Sequence, residues 1–109
     1  MTLLTVPRSL GDILITRAWP LPDDTHVTLS FEGRDTDGLV RAGTVRLERD
    51  GTVLDTVLAP FKDDPAMPAL REVGGELIGH RFGKRAVVRH GDLFVKVVRE
   101  KKGAALAER

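Results

Sequence analysis

The stretch LVRAGTVRLERDGTVLDTVL, residues 39–58, decides the fold. Apolar and polar residues alternate on both sides of Asp50-Gly51, and a period of two sends successive side chains to opposite faces of a strand. A two-residue hairpin turn needs positive φ at both centres, which Asp-Gly tolerates. The stretch therefore predicts a β-hairpin with Leu47 opposite Leu54.

Upstream, HVTLSFE (26–32) places Val27, Leu29 and Phe31 on one face and polar groups on the other, the pattern of a half-buried strand. ILITRAW (13–19) reads as a strand closed by Pro20, Pro22 and Asp23-Asp24. Downstream, APFKDDPAMPAL (59–70) has three prolines and no alternation, so it reads as a connector between two sub-sheets, with Asp63 and Asp64 in solvent. ELIGHR (76–81), RAVVRH (85–90) and DLFVKVVRE (92–100) form a second β block, joined at Phe82-Gly83-Lys84 and at a tight turn on Gly91. GAALAER (103–109) is rich in helix formers but has no glycine or asparagine cap, and we expect it to open a helix that continues in a longer chain. The predicted class is α+β, mostly β. An antiparallel meander with its proline-rich connector occupies 1–70, and a three-stranded antiparallel sheet with a short C-terminal helix occupies 71–109.

With 109 residues, the chain suits one modest core. It has no cysteine, which excludes disulfides and Cys-ligated zinc. The N-terminal MTLLTVPRSL lacks a signal-peptide layout, and no apolar run approaches the roughly 20 residues of a membrane span, so the cytoplasm is the expected location. Residues 1–70 hold seven Lys/Arg against eleven Asp/Glu, a net −4, whereas residues 71–109 hold ten against five, a net +5. An anion would be drawn to the C-terminal third. A solvated basic face is the plainer reading of the same charges.

Within DLFVKVVRE, Lys96 shares its strand face with Phe94 and Val98. A buried, unpaired ammonium is costly, so Lys96 must reach water, a carboxylate or an anionic ligand. An edge-strand lysine that blocks sheet-to-sheet pairing would satisfy the first of these. Gly79 and Gly83 precede it in IGHRFGKRAVV, where small residues let backbone N–H groups approach phosphate oxygens, and Lys84 and Arg85 add positive charge.

Taken together, GELIGHRFGKRAVVRHGDLFVKVVREKKGAALAER (75–109) resembles the start of the N-lobe in the aminoglycoside phosphotransferase-like kinase superfamily. RAWPLPDDTHVTLSFEGRD (17–35) is similar to the extra N-terminal β segment of actinobacterial members. The resemblance implies a site for ATP or GTP with magnesium. Lys96 would be the phosphate-binding lysine, Gly79 to Gly83 the lid turn with Lys84 and Arg85 beside it, and Glu108 the helix glutamate, in preference to Glu100. The turn reads G-x-x-x-G rather than G-x-G-x-x-G, a departure that bears on the phosphate contacts. HGDLF (90–94) has the first three residues of the superfamily's catalytic H-G-D-x-x-x-x-N, but Val97 stands where the asparagine belongs and no aspartate follows Asp92. It reads as a hairpin turn. The base and magnesium ligands would then lie in a C-terminal lobe, and this portion would be inactive by itself.

Two other features have plainer readings. His26, His80 and His90 lack metal-ligand spacing, and Trp19 reads as a core or inter-sheet anchor rather than a ligand platform. A different function class is a polyanion- or nucleic-acid-binding module using RFGKRAVVRH (81–90), although Phe82 alone interleaves its charges as a stacking residue. A protein-interaction module that self-associates through exposed apolar surface is the third class.

Overall fold

The computed structural model describes residues 6–99, so the helix expected over 103–109 and both glutamates, Glu100 and Glu108, lie outside the described residues. Five strands form an antiparallel meander in the order β1 (Ser9–Leu10), β2 (Ile13–Leu21), β3 (Val27–Arg34), β4 (Val40–Leu47) and β5 (Val53–Leu58). A second antiparallel sheet has the order β6 (Glu76–Arg81), β7 (Arg85–His90) and β8 (Leu93–Val98). The protein is thus mostly β. The sole helical element among the described residues is a 3-10 turn, Pro68–Glu72, inside the connector. None of their helices is long and apolar enough to cross a membrane.

The hairpin of residues 39–58 forms, but one residue out of the predicted register. Leu47 pairs with Val53, not Leu54, and the ladder shifts between Arg46 and Leu47. The loop closes through Gly51 N–H to Glu48 O at 2.9 Å and Glu48 N–H to Thr52 O at 2.8 Å, and Gly51 takes φ 96° while Asp50 keeps φ negative. A three-residue loop needs its left-handed conformation at one position, which glycine fills freely; the two-residue turn would have strained Asp50. At the other end of the chain, Gly91 alone takes positive φ (62°) between the paired His90 and Leu93. His90-Gly91-Asp92 is therefore a hairpin turn.

Strand β2 runs through Pro20 to Leu21 instead of stopping before the proline. The short β1 pairs only with Ile13 and Leu14, so Pro20 has a free edge on one side and its missing N–H breaks no ladder bond. The half-buried reading of β3 also fails. Leu29 and Phe31 enter a core with Ile13, Val45 and Leu47, yet Ser30 and Glu32 on the opposite face are buried as well. That second face is covered by the β6–β8 sheet. Val40 joins Leu77, Ala86, Val88 and Val97 in a core shared by the two sheets, and Met67 and Leu70 of the connector complete it. The connector therefore supplies core residues as well as a crossing. Asp64, expected in solvent, is 1 % exposed within it.

Each loop of the meander beyond β2 is held by one aspartate. Asp23 accepts from the Thr28 hydroxyl (2.5 Å) and from the N–H groups of Thr25 (3.0 Å) and His26 (3.1 Å). Asp35 accepts from Leu39 N–H (3.0 Å) and Asp37 N–H (2.9 Å), and Asp50 from Thr52 N–H (2.9 Å). These bonds favour the charged form. The Thr28 hydroxyl, then the His26 and Thr25 amides, hold Asp23 far below the usual carboxylate range. The Leu39 amide first lowers Asp35, and the Thr52 amide first lowers Asp50. A carboxylate with a depressed folded-state pKa contributes stability that is complete above its unfolded value of about 3.9 and vanishes as pH falls through the folded value. The melting temperature should therefore hold steady from pH 7 to about 5 and fall below about 4. Asp23→Asn should lower it at neutral pH and flatten the acid limb. Thermal melts of both proteins that decline in parallel below pH 4 would contradict this.

Candidate functional site

The face of the β6–β8 sheet turned away from the shared core carries the sequence-predicted residues. Its register makes three cross-strand rows. Glu76, Arg89 and Phe94 form the first, Gly79, Val87 and Lys96 the second, and Arg81, Arg85 and Val98 the third, next to the Phe82-Gly83-Lys84 turn. Rows on one face lie about 7 Å apart along the strands, and Lys96 stands two strand spacings, about 10 Å, from Gly79. Lys96 is exposed on the edge strand β8, between Phe94 (66 % exposed) and Val98 (59 %). An edge lysine also discourages strand addition.

A second feature was hidden in the sequence. Arg81 and Arg85 lie directly opposite one another, a like-charge pairing that weakens a sheet unless something neutralises it. The Arg81 guanidinium carbon stands 4.9 Å from the centre of the Trp19 ring, and that of Arg17 stands 5.1 Å from it. Of the two anchoring positions expected for Trp19 it takes the second: it joins neither buried core but stands between the sheets, as a platform for cations from both. Arg17, Trp19, Gly79, Arg81, Arg85 and Val87 enclose much of a cleft of about 90 Å³ at the junction of the sheets. Gly79 forms part of its wall, and a Cβ there would stand 3.5 Å from Glu32 Oε2 and 3.9 Å from an Arg17 terminal nitrogen.

Behind this face lies a buried polar layer. Glu32, on β3, accepts from His80 N–H (2.5 Å) and from Arg17 Nε (3.0 Å). Asp64 accepts from His80 Nε2 (2.8 Å), from Gly83 N–H (2.7 Å) and from Ala66 N–H (2.9 Å). The layer fixes the position of β6 against β3 and anchors the β6–β7 turn. It also commits one donor: the Gly83 amide, expected to face phosphate, is taken by Asp64. Lys84 N–H closes the turn onto Arg81 O at 3.0 Å. Any anion on this face must therefore be met by side chains rather than by these two turn amides.

Of the predicted residues, Lys96, Gly79 and Arg85 share one face, Gly83 and Lys84 form the turn at its end, and Glu108 lies outside the described residues. Sequence reasoning missed Glu32, Asp64, His80 and Arg17. A bulge at Ile78, between the paired Leu77 and Gly79, puts His80 on the same inward face as Leu77, against simple alternation. Gly79 inside the strand was the available signal for that bulge. No group of three or more His, Asp or Glu among the described residues could hold a metal ion. Comparison of the chain with models of protein families, with curated proteins and with solved structures gives no match.

Proposed function

We propose that the outer face of β6–β8 binds the polyphosphate of a nucleotide, as the lid-side surface of a kinase-like phosphotransferase whose base and magnesium ligands belong to a second lobe. The observation that carries this reading is the single row Gly79, Val87, Lys96, which runs from the cleft lined by Arg17 and Trp19 of the meander out to the exposed edge strand β8, with the Arg81–Arg85 pair beside it. Lys96 and Arg85 supply the charge, and Val87 and Phe94 an apolar seat for the base. Val98 (59 % exposed), at the end of the outer face, offers apolar surface against which a further lobe would pack. ATP and GTP both fit this chemistry.

The competing class is a polyanion-binding module, and one titration separates the two. The 109-residue chain is titrated with ATP, with GTP and with a single-stranded oligothymidylate, at low and at moderate salt. Nucleotide binding should saturate at one equivalent with a dissociation constant near 1 mM or tighter, a modest affinity for an open face. The oligonucleotide should bind more weakly. Tighter oligonucleotide binding with a steep loss on adding salt would overturn the nucleotide reading in favour of the module.

A further inference from the structure

We infer that the cleft between the two sheets is an oxyanion subsite, sized for one phosphate group, in which β2 of the meander supplies part of the wall. The inference rests on the nucleotide reading for its natural ligand, a terminal phosphate or phosphomonoester, but its geometry stands separately. Three arginines converge there from two sheets. Arg17 comes from β2, Arg81 from β6 and Arg85 from β7, and all three line the cleft with Trp19.

Of these, Arg17 is partly neutralised by Glu32 at 3.0 Å. Among the described residues no carboxylate lies within ion-pair distance of Arg81 or Arg85. The Arg81 Nε is enclosed and has no hydrogen-bond partner. An anion in the cleft would therefore be met by the terminal nitrogens of Arg81, with the guanidinium held in place by the Trp19 ring. Each guanidinium also carries the planar fork of donors that phosphate accepts bidentately. The cleft, about 90 Å³, has room for a phosphate group. The meander is thereby part of the ligand site, because deleting Arg17 and Trp19 would open the cleft on one side.

Trp19 is the single tryptophan of the chain, so its fluorescence reports this cleft alone. The full chain is titrated with inorganic phosphate, with chloride at equal ionic strength as the control. A saturable change in Trp19 emission, with a dissociation constant in the low millimolar range, is expected for phosphate and not for chloride. Arg81→Gln should weaken it at least tenfold, and Arg85→Gln should do likewise at a solvent-exposed position where folding is not at stake. Circular dichroism of each variant verifies the fold. Unchanged emission up to about 50 mM phosphate, or equal responses to phosphate and chloride, overturns the subsite. The two proposals fail separately. Nucleotide that perturbs the Lys96 row while phosphate leaves Trp19 silent removes the subsite and leaves the nucleotide face standing. Phosphate that binds at Trp19 in a chain with no affinity for nucleotide keeps the subsite and removes the nucleotide.

Discussion

Asp64→Ala is expected to destabilise the protein by about 3–5 kcal/mol, a large share of the 5–15 kcal/mol that holds a domain of this size together. The carboxylate is 1 % exposed and gathers three donors from distant parts of the chain: Ala66 N–H, Gly83 N–H and His80 Nε2. Removing it strands the His80 donor in a fully buried position and releases the β6–β7 turn from the connector. Each unsatisfied buried donor costs about 1–3 kcal/mol. Asp64→Asn keeps one acceptor oxygen and should lose about half as much. Urea unfolding of the two variants tests this, the milder one serving if the alanine variant fails to fold. A shift under about 1 kcal/mol for alanine would show that the buried layer does not hold the sheets together.

The strands themselves were legible because period-two alternation is a local signal, and the bounds of all three strands of the second sheet fall within two residues of the expected ones. What escaped were consequences of packing one sheet on another. Glu32 and Asp64 read as solvent-facing acids, and nothing in their immediate sequence says that β6 will cover them. The bulge at Ile78 turned His80 inward, while the loop at Arg49-Asp50-Gly51 moved Leu54 out of register with Leu47. Both are single-residue slips, and in a strand each slip exchanges the two faces. The basic face was half visible. Lys96, Arg85 and Gly79 could be grouped from spacing, but Arg17 and Trp19 reach it from a strand some 60 residues earlier, a juxtaposition that only the tertiary fold creates.

The second large effect concerns Lys96. Lys96→Met keeps the length and the apolar stem of the side chain and removes the charge. Because the side chain is exposed, stability should change by less than about 0.5 kcal/mol. Nucleotide affinity should fall about 10- to 100-fold, the usual worth of a charge-assisted hydrogen bond to phosphate. An edge lysine that serves only to prevent strand addition would behave differently: its loss would promote association and leave nucleotide affinity alone.

The direct measurement is a titration of isotopically labelled full chain with ATP, followed through backbone amide resonances in the wild type and in Lys96→Met. The nucleotide-face account predicts saturable shifts centred on Gly79, Val87, Phe94 and Lys96, much reduced in the variant at equal ATP, with the amides of β3 and β4 still. Shifts that spread over the meander beyond the cleft residues Arg17 and Trp19, or that persist unchanged without the ammonium group at position 96, would contradict it.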